Sequence, residues 1–200
     1  MLKKVVIIGP ESTGKSTLCM QLAAHYQTLW CPEFARKYLL EHGMDYTYDD
    51  LLVIAKGQIE LEEEYIEAVR KSKRPEDRKT TITDQKILSG LSDFPTSSLL
   101  FIDTDMYVMK TWCEFVFGKC HQFILDQIAA RKYDLYLLCN IDLPWIKDDL
   151  REYPDLEIRR KLYSIYKNEM QHQSTPWVEI SGGDEERLEK AIAAVSTIVV

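Results

Sequence analysis

Gly9-Pro10-Glu11-Ser12-Thr13-Gly14-Lys15-Ser16-Thr17 follows the apolar run Val5-Val6-Ile7-Ile8 and leads into Leu18-Cys19-Met20-Gln21-Leu22-Ala23-Ala24. The stretch has the G-x-x-x-x-G-K-[ST] spacing of a phosphate-binding loop, placed between an expected strand and an expected helix, the context in which that spacing carries weight. Gly9 and Gly14 admit backbone torsions closed to other residues, so that N–H groups turn toward an anion, and the helix beginning near Lys15 adds its positive end. Lys15 is placed to bridge the β- and γ-phosphates of a nucleoside triphosphate, and Ser16 to ligate magnesium. The expected nucleotide-binding set is therefore Gly9, Glu11, Ser12, Thr13, Gly14, Lys15, Ser16 and Thr17.

The strand before the loop is apolar and β-branched almost throughout, as suits a central parallel strand covered on both faces. Residues 28–31 form a short second strand stopped by Pro32, which fits the first turn of a helix over 33–41. Residues 48–70 repeat apolar positions at helical spacing, with an interruption expected near Gly57. Glu60, Glu62, Glu63, Glu64 and Glu67 within that helix read as a solvated face. Residues 71–98 are charged, proline-interrupted and irregular, and are expected to form a surface insertion.

Leu99-Leu100-Phe101-Ile102 is the third strand and runs into Asp103-Thr104-Asp105. A hydrophobic strand ending in a carboxylate downstream of a phosphate loop is the Walker-B arrangement, with Asp103 beside the magnesium and Asp105 free to cap the helix over 106–117. A helix over 120–132, a fourth strand over 134–139, a helix over 156–173, a fifth strand over 177–180 and a last helix over 185–195 complete the pattern. Strands alternating with helices predict one α/β domain over residues 1–200 with a five-stranded parallel sheet.

Composition narrows the partners. The net charge of −7 opposes binding to nucleic acid through phosphate contacts, and no stretch approaches a membrane span, so a small-molecule substrate is expected. Cys19, Cys31, Cys113, Cys120 and Cys139 lack paired spacing and read as reduced thiols, which, with no apparent signal peptide, predicts a cytoplasmic location.

Two classes of phosphate-loop protein compete. A GTPase switch carries Asp-x-x-Gly after the third strand and Asn/Thr-Lys-x-Asp after the fourth; here those places read Asp103-Thr104-Asp105-Met106 and Asn140-Ile141-Asp142-Leu143. A small-molecule kinase needs an acceptor site, a carboxylate for the hydroxyl proton and a cationic lid. Glu33 after the second strand, Asp103 after the third, and Arg151 with Arg159 or Arg160 after the fourth are candidates for these parts, with either Glu33 or Asp103 receiving the hydroxyl proton and the lid falling at about 145–160.

Residues 9–18, Glu33-Phe34-Ala35-Arg36, Gly57-Gln58, residues 101–105, residues 134–138, Pro144-Trp145 and Leu150-Arg151 together resemble the ribosylnicotinamide kinase domain of the bacterial NadR family. The resemblance covers nearly all of the chain except about residues 71–98. It implies a P-loop kinase fold with strand order 2-3-1-4-5, helices on both faces and a lid. It also implies ATP and Mg²⁺ as cofactors and nicotinamide riboside as the nucleoside phosphorylated for NAD synthesis. Glu33 and Arg36 then fall in the acceptor site with Asp103, and Trp30 is a candidate platform for the cationic nicotinamide ring, with a core tryptophan as its other reading. Lys15, Glu33, Asp103 and Arg151 make up the expected catalytic set, Ser16 and Asp103 the metal set, and Arg159 joins the nucleotide site. A kinase for another nucleoside or a mononucleotide, and an ATP-binding regulatory module, are the alternatives. The helix-turn-helix and the nucleotidyltransferase motif of full-length family members are missing from this sequence.

Overall fold

Strand β1 (Lys3–Ile8) lies at the centre of the sheet because its side chains alternate between two apolar layers. Val5 and Ile7 enter one layer, Val6 and Ile8 the other, and all four are fully buried. At roughly 1.5–3 kcal/mol for each fully buried aliphatic side chain, a strand apolar on both faces is far more stable inside a covered sheet than at its edge. The computed structural model describes residues 1–72 and 98–199.

Around β1 stand β2 (Leu29–Cys31), β3 (Leu99–Asp103), β4 (Leu135–Cys139) and β5 (Trp177–Ile180), in the order β2-β3-β1-β4-β5 with every pair parallel. Helix α1 (Lys15–His25) packs beside the last helix, whose Ala191, Ala194 and Val195 join Leu18, Leu22, Phe101 and Leu137 in one layer. The opposite layer is filled from α3 (Tyr48–Ser72), with Ile66 and Val69, and from the helix before β5, with Tyr166 and Met170. A third cluster lies where α2 (Phe34–His42) and α3 meet α4 (Met106–Phe117) and α5 (Gln122–Ala130), around Leu51, Ile54, Met109 and Ile124. Helices α6 (Leu156–His172) and α7 (Asp184–Ser196) follow β4 and β5. Because β1 is hydrogen-bonded to β3 on one side and β4 on the other, the chain diverges at its carboxyl end, where open parallel sheets hold their ligands.

The expected strands and helices are all present among the described residues, and the sheet order is the expected one. Four local expectations are corrected. The long helix α3 runs unbroken through Gly57, whose missing side chain makes room for a neighbour: a Cβ there would meet the Phe34 ring at 2.3 Å. That glycine marks close helix packing where a break was expected. Glu62 does not lie on a solvated face. It is buried and accepts hydrogen bonds from Lys4 Nζ at 3.2 Å and Tyr133 OH at 2.9 Å, with Arg131 at 2.8 Å, so its charge is paired as a buried carboxylate requires. Pro32 precedes the first turn, since Glu33 is the N-cap of α2, and its carbonyl accepts from the Gln58 amide. The last helix begins at Asp184, one residue ahead of its expected start, with Gly183 as the N-cap. The expected insertion at 71–98 falls largely on residues 73–97, outside the described residues.

Helix α3 begins in a capping box. Asp50 Oδ2 accepts from Thr47 N at 2.7 Å while Thr47 Oγ1 accepts from Asp50 N, and Tyr38 OH donates to Asp50 Oδ1 at 2.6 Å. The Thr47 and Tyr38 hydrogen bonds hold the Asp50 carboxyl down to about 2. A carboxyl more acidic in the folded than in the unfolded protein stabilises the fold above its unfolded pKa, about 4, and that contribution is lost as pH falls toward 2. Asp50→Ala is therefore expected to lower the urea midpoint at pH 7, with the gap to wild type narrowing between about pH 4 and pH 2. A gap independent of pH would contradict this role for Asp50. No helix among the described residues is long and apolar enough to cross a membrane.

Candidate active site

The phosphate loop leaves β1 at Gly9 and closes into α1 at Gly14. Gly9 has φ +140° and lies so near the β4 backbone that a Cβ would stand 2.7 Å from the Cys139 carbonyl oxygen, so only glycine fits. Ser12, at φ 56°, is left-handed without being glycine, a strain that the surrounding bonds hold in place. Thr13 Oγ1 donates to Pro10 O at 2.7 Å, and Arg187 from α7 donates to Thr13 O at 2.9 Å and Asn140 O at 2.9 Å. Arg187 is buried and also paired with Asp142, so the last helix braces the loop from behind.

Lys15 Nζ donates to Pro10 O at 2.9 Å, folded over the loop whose N–H groups it would share with an anion. Ser16 Oγ donates to Asp103 Oδ2, joining the start of α1 to the end of β3. Asp103 is buried, and its Oδ1 has no hydrogen-bond partner among the described residues. Next to it Asp105 takes the separate role expected of it: its carboxylate caps α4 through Tyr107 N at 3.0 Å and accepts from Tyr136 OH at 2.8 Å.

Glu33, the N-cap of α2, reaches toward the same point from β2. Thr104 Oγ1 stands 3.5 Å from its Oε1. Burial raises the Glu33 carboxyl above its ordinary value and the Asp103 charge adds to the effect, with Lys15 and Arg36 opposing. Burial raises Asp103 as well, against the opposing pull of Lys15 and the Ser16 hydrogen bond. Gln58 on α3 fixes this corner by accepting from Phe34 N at 2.7 Å.

A cavity of about 540 Å³ runs from the loop to this carboxylate pair and on to an aromatic wall. Residues 9–17, Trp30, Glu33, Arg36, Asp103, Arg151 and Tyr153 all line it, as do Trp112, Phe115 and Tyr166. Trp30 lines the cavity and also packs against the core layer under α1. Arg36 pairs with Asp148 at 3.1 Å on the rim.

Residues 143–155 pass over the loop. Ile146 N donates to Ser12 Oγ at 2.9 Å, and Arg151 donates to Ser12 Oγ at 3.3 Å and to Ile146 O. Glu11 accepts from Glu152 N at 3.0 Å, from Tyr153 N and from Trp145 Nε1 at 3.4 Å. Arg159 is buried and donates to Ser12 O at 3.4 Å and Leu143 O at 3.3 Å; burial pulls its guanidinium below its ordinary value, which the nearby Glu11 charge opposes. Arg160 is exposed and pairs with Glu157 on its own helix, so of the two candidate arginines on α6 only Arg159 reaches the loop. Arg187 and Gln58 carry no local signal of their place in this arrangement, because each acts through partners remote in the chain. For Gln58 the one pointer is the Gly57-Gln58 pair within the family-like motifs.

The all-parallel 2-3-1-4-5 sheet, with the loop at its central strand and a carboxylate at the end of the neighbouring one, is a P-loop kinase fold. The AAA_28 family model, described as an AAA domain, matches residues 4–92 and 89–187, and the chain belongs to that family. It is similar to the trifunctional NAD biosynthesis/regulator protein NadR of Salmonella typhimurium strain LT2, at 25% identity over 187 residues, and to that of Escherichia coli strain K12, at 26%. Each alignment covers 92% of this chain and 39% of the relative, so the chain spans about two fifths of the length of the curated relatives it matches. Among solved structures, a NadR protein in complex with NR superposes with a TM-score of 0.70 at 21% identity, over 98% of this chain and 50% of that one. A NadR protein in complex with NAD and AMP-PNP gives 0.65 at 20%, over 98% and 49%. A thymidylate kinase from Ehrlichia chaffeensis gives 0.55 at 12% identity, over 96% and 98%. The NadR-like reading of the motifs and the kinase fold are thus the ones these relatives share.

Proposed function

We propose that the protein transfers the γ-phosphoryl group of ATP to the 5′-hydroxyl of nicotinamide riboside, giving nicotinamide mononucleotide and ADP. The observation that carries this reading is the cavity that joins the phosphate loop to a pair of carboxylates and an aromatic wall. Aromatic faces with acidic groups nearby suit a nucleoside whose base is a cation. The similarity to NadR proteins, one of them described in complex with NR and another with AMP-PNP, supports the choice of acceptor and donor.

ATP fits the loop: its left-handed turn at Ser12, the close approach at Gly9 and the cation of Lys15 form a cradle for polyphosphate. Magnesium fits the pair of Ser16 Oγ and Asp103, since a buried carboxylate oxygen without a partner among the described residues stands beside a hydroxyl. When bound there, the ion would neutralise charge on the β- and γ-phosphates. Lys15 and the loop amides hold the phosphoryl group, and Arg151, with Arg159 behind it, meets the charge that spreads over its oxygens. Glu33 accepts the hydroxyl proton as the nucleoside oxygen forms its bond to phosphorus and the bond to the β-phosphate oxygen breaks. Asp103 is left to its bond with Ser16. Trp30 and Arg36 orient the acceptor, and residues 145–160 act as the lid over a single domain. The test is an acceptor panel: ADP formation is expected to rise with nicotinamide riboside far more than with uridine, thymidine or a nucleoside monophosphate. An equal response to all acceptors would overturn the assignment.

A further inference from the structure

A carboxylate in a loop built to receive polyphosphate opposes the charge it must admit, so Glu11 is out of place unless it serves another contact. Its two oxygens take three N–H donors, all from residues 145–153: the Trp145 indole and Tyr153 N on Oε1, and Glu152 N on Oε2. Hydrogen bonds to an ionised acceptor are about twice as strong as neutral ones, so these three add a charged link to the bonds that Ser12 makes with Ile146 N and Arg151. The same segment is tied independently to the acceptor side of the cavity. Tyr46 OH donates to Glu152 Oε2 at 2.9 Å and is itself held by Trp112 Nε1 at 2.9 Å, the Tyr153 ring meets Phe115 with centroids 5.4 Å apart, and Asp148 pairs with Arg36.

We propose that Glu11 is a positioning residue, a latch that holds the 145–153 segment shut over the phosphate loop and so keeps water from competing with the acceptor. The segment bridges the loop and the acceptor wall, and Glu11 is its charged anchor on the loop side. Release of that anchor leaves the acceptor-side contacts and the Ser12 bonds to Ile146 N and Arg151 in place and loosens the segment at residues 152–153 over the phosphate site. The donor would then be hydrolysed, with water forming the bond to the γ-phosphorus as the bond to the β-phosphate oxygen breaks, ADP and phosphate leaving and the water proton passing to solvent, in place of the transfer assigned above. This consequence rests on the proposed kinase reading; the latch itself does not.

The experiment compares wild type, Glu11→Ala and Glu11→Gln by residue-resolved amide hydrogen exchange of the ligand-free protein. Wild type and variants are then incubated with ATP, Mg²⁺ and nicotinamide riboside, and ADP is counted against phosphorylated nucleoside. In Glu11→Ala the amides of Glu152 and Tyr153 are expected to lose protection by about tenfold or more, the scale of a lost charge-assisted hydrogen bond. Amides of β1, β3 and β4 should remain as in wild type. Glu11→Gln, which keeps one acceptor oxygen and the side-chain volume, should recover part of the protection. ADP formed per phosphorylated nucleoside should rise above one in Glu11→Ala and fall back in Glu11→Gln. If Glu11→Ala loosens the whole sheet, Glu11→Gln decides by the same two amides. Wild-type exchange at Glu152 and Tyr153 in both variants would overturn the latch. Lost protection with a ratio still at one would overturn its role in excluding water. Failure of wild type to phosphorylate the nucleoside would instead overturn the kinase reading, with the latch still judged by exchange.

Discussion

Replacing Lys15 with alanine is expected to lower turnover by about a hundredfold or more, the usual scale for removing one preorganised charge from a phosphoryl-transfer site. The side chain is the one cation that arises within the phosphate loop itself, and it folds over the loop with Nζ 2.9 Å from Pro10 O. Its loss leaves the loop amides able to hold phosphate, but removes the charge that can follow the γ-group as its bond to ADP lengthens. The effect should therefore fall chiefly on kcat, with a smaller rise in KM for ATP. Steady-state rates with saturating ATP separate the two, and near-normal turnover in Lys15→Ala would rule out this loop as the site of transfer.

The second large effect is expected at Glu33. Glu33→Gln keeps the size and the N-cap position but cannot take a proton, and general-base removal costs about 10²–10⁴ in rate. Burial and the Asp103 charge both raise the Glu33 carboxyl, which moves it toward the pH at which the enzyme would work and makes it a better base than an ordinary glutamate. Since a base acts only when deprotonated, the wild-type rate should climb with pH through that raised value and level off above it, a limb that Glu33→Gln lacks. Asp103→Asn should behave differently, weakening the bond with Ser16 and the affinity for ATP with Mg²⁺. Single-turnover rates alongside nucleotide binding distinguish the two. Loss of chemistry with intact binding in Asp103→Asn, and not in Glu33→Gln, would transfer the base to Asp103.

The phosphate loop was legible because all of its signal lies within nine adjacent residues, Gly9 to Thr17, and because a β-branched strand and a helix flank it. The position of Asp103 was legible for a related reason: downstream of such a loop, a fully apolar strand that ends on a carboxylate places that residue at the carboxyl end of the sheet, beside the loop. The sheet order entered through the resemblance carried by short motifs spread along the chain, since strand order depends on crossovers that periodicity does not record. What stayed hidden depends on distance along the chain. Glu62 looked like any helix-surface glutamate among other acids, yet its partners are Lys4 on β1 and Arg131 and Tyr133 just ahead of β4. Gly57 looked like a break because a glycine's cost in a helix is local, whereas its benefit here, room for Phe34, is tertiary. Arg187 sits in an otherwise ordinary amphipathic helix and reaches Thr13 across the fold. Glu11 sat inside the best-read motif, but its three N–H donors lie in residues 145–153, a segment whose path no local rule could give.

The measurement that bears most directly on phosphoryl transfer at this site is the simultaneous quantitation of ADP and phosphorylated nucleoside, by mass spectrometry, in reactions with and without nicotinamide riboside. Equal amounts of ADP and nicotinamide mononucleotide, with little ADP when the nucleoside is omitted, are the predicted result. ADP released at the same rate without any acceptor, and no phosphorylated nucleoside formed, would contradict it.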